Sequence, residues 1–294
     1  VEHHTVAVTY RVVQGHELYN REILINGTQH TRDAVVRREL SVFPGKRTEL
    51  KEIERSLARV QATRFFTDEM NRAAHRDPYY RLVPVAGEPD KVDIEFIVEE
   101  GRVIDFNISG GVDTDNGAFA IMSLTMRNFD ATDLPRGFGA AFGEIYGKEA
   151  FHGAGQQLDF VASPGTQVSN MRIHFVEPDI FGTHLQPTSF DIDLNKRLRR
   201  YASHEEDRAD LRTRLGRRWD YDIFTWIGFV LTEIELSNPD SDGVPPALSY
   251  QESQGKTRLA GVLFDASTRS LDNYLVPHKG WWLRSNNVVY SRDL

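Results

Sequence analysis

The sequence contains no cysteine, no long apolar run and no excess of positive charge. The absence of cysteine excludes disulfides and cysteine-based zinc sites. No stretch of about 18 apolar residues occurs, which excludes a transmembrane helix, although barrel strands of roughly ten alternating residues would escape this test. The net charge of −8 argues against a nucleic-acid partner, because there is no surplus of cations to replace phosphate counterions. No basic-then-apolar segment opens the chain, so no signal peptide is predicted.

Motifs with catalytic or metal-binding spacing are also lacking. The opening Glu2–His4 is a poor metal site, because its two adjacent histidines point in different directions. Asp113–Gly117 resembles the start of a calcium loop without the later bidentate glutamate, and a hairpin turn at Asn116-Gly117 is favoured instead. No His-Glu-x-x-His pattern or phosphate-binding glycine loop occurs. The sequence therefore predicts no enzyme activity, no metal and no cofactor.

The first hundred residues carry helical as well as strand patterns. Leu50, Ile53, Leu57 and Val60 recur at helical spacing, and a shorter helix is predicted from Thr31 to Leu40, with Thr31 as its candidate cap. After Gly15 the predicted order is strand, helix, helix, strand, strand. The strand patterns include Ala7–Val13, Leu18–Ile25 and Val92–Val98. The first of these precedes the unit and is interpreted as the end of an earlier module.

The remainder of the chain alternates apolar and polar residues with a period of two, which is typical of strands with two different faces. Such a pattern fits a soluble β-sandwich with one wet face or a membrane barrel with an apolar outside and a polar inside. About nine segments show it: Val103–Ser109, Ala120–Arg127, Leu158–Ser163, Met171–Phe175, Phe190–Asn195, Leu211–Leu215, Phe224–Ile234, Arg258–Phe264 and Trp282–Tyr290.

Three features favour the barrel. The polar face carries full charges such as Asp191 and Asp193. Aromatic residues gather near strand ends, as an interfacial girdle requires: Trp219, Tyr221, Phe224, Trp226, Trp281 and Trp282. Connections alternate between tight ones (Ser163–Gly165) and long polar ones (Asn128–Gly155, Asn238–Gly255), which suggests short periplasmic turns and long outer loops.

A cluster of arginines has two interpretations. It could bind lipopolysaccharide phosphates, or it could line the barrel interior and pair with Asp191 and Asp193, and the second is favoured. The cluster consists of Arg212, Arg214, Arg217 and Arg218.

Six groups of residues, in order along the chain, together resemble the BamA superfamily of bacterial outer-membrane assembly factors. Arg136–Phe138 has the letters of a family loop tip but sits too early in the chain, so that role is not carried over. The six groups are Ile23–Gly27 with Thr31–Leu40, Arg55–Leu57 with Arg64–Phe66, Val98–Arg102, Asp115–Gly117 with Ser123–Phe129, Phe175–Gly182, and Asp272–Gly280.

The resemblance implies an α+β POTRA module (β-α-α-β-β) followed by an antiparallel transmembrane β-barrel. The family barrel has sixteen strands, so only about the first half would be present. The rest would be missing from this chain or supplied by another, because an open edge in lipid leaves backbone groups unsatisfied. We expect the end of a preceding POTRA module at residues 1–15, a POTRA module at 16–100 and the N-terminal part of the barrel at 101–294.

The implied function is assembly and insertion of β-barrel proteins into the outer membrane of a Gram-negative bacterium, with the POTRA module in the periplasm. The implied partners are unfolded outer-membrane protein clients, accessory periplasmic lipoproteins and outer-membrane lipid. Two alternatives remain open, a related polypeptide-secretion transporter and a barrel that anchors an enzyme domain.

Three candidate sites follow from the resemblance, all of them based on strand addition or on the join between modules. The junction is expected at Glu100 and Gly101. Gly110-Gly111 either weakens the ladder at the end of the seam strand or forms a plain hairpin bend. The barrel seam strand is Val103, Ile104, Asp105, Phe106, Asn107, Ile108 and Ser109, and the POTRA edge strand is Phe66, Thr67, Asp68, Glu69, Met70 and Asn71.

Overall fold

The computed structural model describes residues 16–66, 77–115, 117–137, 139–183, 186–238, 255–271 and 277–291. The predicted strand Ala7–Val13 and the Glu2–His4 segment lie outside these ranges. The described residues form two sheets, one of three strands and one of nine. The first ends at Ile97 and the second begins at Ile104.

The three-stranded module has the predicted order of elements. It consists of β1 (Tyr19–Asn26), α1 (Asp33–Arg37), α2 (Leu50–Ala62), β2 (Tyr79–Val85) and β3 (Glu88–Ile97). The sheet order is β1-β3-β2, with β1 parallel and β2 antiparallel to the central β3. The β-α-α-β-β prediction is therefore confirmed.

The predicted helix Thr31–Leu40 is shorter than expected, and its cap is different. Arg32 occupies the N-cap position of α1 without a side-chain hydrogen bond. The Thr31 hydroxyl instead accepts a hydrogen bond from Asn128 Nδ2 at 2.7 Å, and its backbone N–H donates to Glu100 at 2.6 Å. Thr31 therefore lies one residue before the N-cap, and its hydroxyl bonds to β5 instead of to the first turn of the helix.

The core of this module lies between α2 and the sheet. Ile53 and Val60 face the sheet from α2 and are fully buried, as are Ile94 and Phe96 on β3. Lys51, Glu54 and Arg55 stay exposed on its other face, so the spacing of apolar residues in the sequence sets the orientation of the helix. Arg59 is the exception: it is buried and donates to the Glu39 carbonyl oxygen at 2.7 Å. Burial of each such side chain contributes about 1.5–3 kcal/mol.

The nine-stranded sheet contains every segment predicted by the period of two. Its strands pair antiparallel in chain order, so β4 and β12 form its two edges. A short helix, α3 (Ala141–Tyr146), lies between β5 and β6. The strands are β4 (Ile104–Asp113), β5 (Gly117–Phe129), β6 (His152–Ser163), β7 (Val168–Glu177), β8 (Thr188–Arg200), β9 (Glu205–Asp220), β10 (Ile223–Ser237), β11 (Thr257–Leu271) and β12 (Gly280–Ser291).

The sheet has an apolar face whose large side chains are exposed. Ile227 pairs across the strands with Phe264, and Phe229 pairs with Val262, so apolar side chains form continuous rows. Between 42% and 63% of each of these four residues is exposed. Rows of this kind on a sheet are typical of a surface that contacts lipid.

The opposite, polar face carries an ion-pair network. Asp191 on β8 accepts hydrogen bonds from Arg214 on β9 at 2.7 Å and is 2.9 Å from His174 Nε2 on β7. Arg214 also lies 3.6 Å from Asp265 on β11. The Arg214 side chain crosses the intervening strand β10 at Gly228. A Cβ atom at position 228 would come within 2.9 Å of Arg214 Cα.

The predicted arginine cluster separates into different roles. Arg214 pairs with Asp191 as expected, but Asp193 pairs with Arg172 on β7 instead. Arg217 donates to Gln186, and Arg218 binds Glu39 of the three-stranded module. Because β9 runs the full height of the sheet, arginines at its end reach different neighbours from those at its middle.

The hairpin between β4 and β5 confirms the turn interpretation of Asp113–Gly117. Asp113 pairs with Gly117, whose φ is +70°, and its carboxylate accepts the N–H of Asp115 at 2.9 Å. Across the described ranges, no group of three or more His, Asp or Glu side chains is arranged to hold a metal ion. No helix in those ranges combines the length and apolarity needed to cross a bilayer.

We expect Ile53→Ala to destabilise the three-stranded module by about 2–5 kcal/mol, because it leaves a cavity in a fully buried position. The matched control is Leu50→Ala on the same helix, where 54% of the side chain is exposed and the expected loss is within about 0.5 kcal/mol. Pulse proteolysis of the detergent-solubilised chain in a urea series measures both. Equal urea midpoints for the two variants would contradict the assigned core.

Candidate functional site

The first candidate site is the edge strand β4. It pairs with β5 from Ile104↔Met126 to Asp113↔Gly117, and no described strand pairs with its other side. Six of the seven predicted seam residues, Ile104–Ser109, lie in this strand. Val103 precedes it, is buried, and accepts the N–H of Arg127 at 2.7 Å through its carbonyl oxygen.

The two faces of β4 differ as the alternation predicts. Phe106 and Ile108 are 57% and 66% exposed on the apolar face. Asp105 points to the polar face and pairs with Arg127 on β5. The strand therefore has the two-faced character of its neighbours while one row of its backbone N–H and C=O groups is open for pairing.

Gly110 and Gly111 lie within β4, opposite Ala120 and Phe119, so of the two alternatives for this position the hairpin bend is wrong. A Cβ atom at Gly110 would come within 2.9 Å of the Phe119 carbonyl oxygen, and one at Gly111 within 3.2 Å of the Phe119 ring. Close approach of the β5 backbone therefore leaves no room for a side chain at position 110, whereas at position 111 the Phe119 ring would have to shift slightly. The C-terminal half of β4 therefore has few side chains that can pack against a paired strand.

Of the predicted edge strand Phe66–Asn71, only Phe66 is described, and it does not belong to an edge strand of the three-stranded sheet. Phe66 lies in a bend after α2, and its ring is fully buried in the core. The other five residues, Thr67–Asn71, lie outside the described ranges. Among the described strands the antiparallel edge of this sheet is β2, where Arg81 and Pro84 are exposed.

The second candidate site is the junction, where Glu100 acts as a backbone anchor. Its carboxylate accepts the backbone N–H groups of Gln29 at 3.2 Å, His30 at 2.9 Å and Thr31 at 2.6 Å. Burial by itself would raise the pKa of Glu100, but the hydrogen bonds from Thr31 and His30 outweigh it and lower the pKa to about 2. Gly101, the other predicted junction residue, donates its N–H to Phe65 at 2.8 Å.

Asn128 ties the end of β5 to the same place. Its side chain donates to the Thr31 hydroxyl at 2.7 Å and accepts the N–H of Gly155 at 2.8 Å. Its φ of +57° coincides with a shift in the β5–β6 register between Arg127 and Phe129, and asparagine tolerates that conformation better than most residues. Gly155 in turn accepts a hydrogen bond from the buried Arg38 at 3.2 Å.

A third contact, not foreseen from the sequence, joins the β9–β10 turn to the three-stranded module. The Tyr221 hydroxyl donates to the Leu40 carbonyl oxygen, and the Arg59 guanidinium lies 3.9 Å from the Tyr221 ring centroid. Arg218 donates to Glu39 at 3.3 Å. Burial raises the pKa of Tyr221, so the phenol stays protonated and able to donate. The aromatic girdle pattern drew attention to Tyr221 but assigned it to lipid.

These contacts correct the predicted arrangement of the connections. The long segment Asn128–Gly155 lies beside the three-stranded module, because Asn128 and Gly155 both bind it. The tight turn Ser163–Gly165 is at the other end of β6. Loop length alone therefore predicted the wrong side of the membrane for both of these connections.

Comparison with known proteins adds two family matches. Residues 151–291 match the Omp85 superfamily domain, and residues 19–101 match a POTRA family described as a surface antigen variable number repeat. Together the two ranges cover most of the chain, and they coincide with the nine-stranded sheet from β6 onwards and with the three-stranded module.

Among curated proteins, the outer membrane protein assembly factor BamA of Neorickettsia risticii is 24% identical over 295 residues, covering 96% of this chain and 33% of the relative. BamA of Neisseria meningitidis serogroup B is 30% identical over 128 residues, covering 44% of this chain and 15% of the relative. The chain thus spans a third or less of the length of these relatives.

Among solved structures, BamA from Haemophilus ducreyi lacking POTRA domains 1–3 aligns with a TM-score of 0.58 at 16% identity. The alignment covers 94% of this chain and 49% of that one, which shows that the two share a fold. The two family matches and the curated relatives identify the chain as a BamA-type protein of the Omp85 superfamily, with its POTRA module in the periplasm and its strand sheet in the outer membrane.

Proposed function

We propose that this chain assembles and inserts β-barrel proteins into the outer membrane by offering the open edge of β4 to an incoming strand. The observation that carries the proposal is the position of β4 at the sheet edge, paired with β5 alone among the described strands. The names of the curated relatives support it, since they are outer membrane protein assembly factors.

The physical basis is the cost of unpaired backbone in lipid. Each N–H or C=O group left without a partner in hydrocarbon costs several kcal/mol, so an open edge strongly favours pairing with any available strand. Main-chain hydrogen bonds are common to all sequences, which would let one edge accept many unrelated clients. Gly110 and Gly111 limit side-chain packing at one end of β4, so a client strand would be held mainly by its backbone.

We assign a second pairing edge to β2 of the POTRA module. Charge and proline both discourage edge pairing, so the exposed Arg81 and Pro84 would keep pairing at β2 weak and reversible, as transfer of a client onwards requires. An extended client would pair there before it reaches β4. An accessory periplasmic lipoprotein that binds by strand addition would compete for the same edge.

The junction at Glu100-Gly101 would set the path between these two edges. Glu100 fixes the start of β4 against residues 29–31, while Tyr221 and Arg218 hold the opposite side of the module. Two anchors on different strands restrict rotation about the linker. We therefore propose that β2 and β4 keep a defined relative orientation during client transfer.

A photo-crosslinking amino acid in place of Phe106 tests the role of β4. We expect crosslinks to an unfolded outer-membrane protein client during assembly, because Phe106 lies on the edge strand and 57% of it is exposed. The matched control replaces Phe229, which is 63% exposed on the apolar face of β10, inside the sheet. Immunoblotting for client adducts gives the readout.

Adducts at position 106 and not at 229 would support strand addition at the edge. Equal adduct yields at both positions, or none at 106 while the client still assembles, would exclude β4 as the entry strand.

The Glu100 anchor predicts a pH dependence of the junction. Its folded pKa of about 2 lies below the unfolded value of about 4.3, so its stabilisation is complete above pH ~5 and is lost as pH falls through the folded pKa. Glu100→Gln should therefore destabilise the junction at pH 7, by about 1–3 kcal/mol for weakened charge-assisted hydrogen bonds. The difference from wild type should shrink as the pH approaches 2.

Thermal unfolding of the POTRA module followed by circular dichroism at pH 7, 4 and 2 measures this. Glu54→Gln, at an exposed position of α2, is the control and should leave the midpoint unchanged. A deficit in Glu100→Gln that is the same at pH 7 and pH 2 would mean that the carboxylate charge is not responsible.

A further inference from the structure

The segment between β5 and β6 presents two aromatic rings that pack against nothing in the described chain. Phe142 is 86% exposed and Tyr146 is 85% exposed, and they are four residues apart on α3, so they lie on one face of the helix. Leu134 in the same segment is 69% exposed. Large rings that stay this exposed indicate a surface made for contact with another phase or molecule.

The other side of α3 is fixed to the protein. Glu144 lies between the two rings in sequence and points the opposite way, where its carboxylate accepts the N–H of Arg136 at 2.9 Å and only 12% of the side chain is exposed. Lys148 donates to the carbonyl oxygens of Gly101 at 2.8 Å and Glu100 at 3.3 Å. The exposed orientation of Phe142 and Tyr146 is thus set by these contacts.

The ends of the segment place it at the lower rim of the apolar face. Phe151 stacks on Phe129 with ring centroids 5.4 Å apart, and Phe129 meets Phe175 edge-on at 6.3 Å. Phe175 belongs to the same row of β7 as Met171, which is 48% exposed on the apolar face. The segment therefore begins and ends where the lipid-facing surface meets the POTRA module.

We propose that α3 is a membrane-surface anchor, whose Phe142 and Tyr146 rings insert into the headgroup–acyl boundary of the periplasmic leaflet of the outer membrane. The occupant of this face is phospholipid. Because the segment is continuous with the lower rim of the apolar face, α3 would lie at the depth of the membrane–water interface. Aromatic side chains are enriched at that depth because they combine an apolar ring with tolerance of water.

Arg136 places a guanidinium beside the helix. Its side chain is 84% exposed and its Nε lies 3.9 Å from a Glu144 carboxylate oxygen, so it would meet lipid phosphates while paired with Glu144. The membrane-surface anchor also lies next to the edge strand, because Lys148 contacts Gly101, three residues before β4 begins. It would hold the bilayer surface at a fixed height beside β4, a role that does not depend on which client the protein handles.

The complete absence of cysteine makes the test direct, since a single introduced cysteine can be labelled cleanly. Phe142→Cys and Tyr146→Cys would each carry an environment-sensitive fluorophore in the full chain, reconstituted into phosphatidylethanolamine–phosphatidylglycerol vesicles with acyl-chain doxyl quenchers. Phe229→Cys on the apolar face is the lipid-exposed control, and Glu54→Cys on α2 is the aqueous control.

We expect blue-shifted emission and doxyl quenching at positions 142 and 146 that approach those at 229, with neither at 54. Heat-dependent gel migration checks that each variant is folded, and Phe142→Ala/Tyr146→Ala should migrate as wild type because these rings contribute nothing to the core. Emission and quenching at 142 and 146 like those at 54 would overturn the proposal. So would protection that appears only after an unfolded barrel protein is added, which would make α3 a client contact instead. A failure of client crosslinking at position 106 would leave this result untouched.

Discussion

Backbone hydrogen bonding in a sheet placed in lipid is the constraint on which the rest of this structure depends. A strand in hydrocarbon has no water to satisfy its N–H and C=O groups, so its neighbours must do so. Seven of the nine strands have a partner on each side, and β4 and β12 have one each within the described chain. The same rule that stabilises the interior of the sheet makes its edges reactive, and the proposed function uses that reactivity.

Side chains add to this framework through the separation of the two faces. The apolar face is built from rows such as Phe229 with Val262, whereas the polar face buries charges that must be paired. His174, Asp191, Arg214 and Asp265 meet this requirement as a connected set across strands. Gly228 makes the set possible, because any side chain there would collide with the neighbouring strand and with Arg214.

The junction joins the two modules by a different principle. Its contacts include hydrogen bonds from polar side chains to backbone atoms of the partner module. Glu100 receives three N–H groups from one turn of chain, and Tyr221 reaches a carbonyl oxygen from a strand turn far away in sequence. Directional contacts of this kind define an orientation better than an apolar interface would, which suits the proposed transfer of a client from β2 to β4.

The sequence by itself determined the local character of each element. The period of two marked all nine strands, the spacing of Ile53 and Val60 oriented α2, and Asn116-Gly117 predicted the first hairpin, because each depends on residues close together in the chain. Only the tertiary structure decided which edge of the POTRA sheet is open, which side the segment 128–155 occupies, and that Arg218 and Tyr221 serve the junction. Those outcomes depend on pairing between residues up to about 180 positions apart, and nothing in local spacing encodes which partner a strand end will meet.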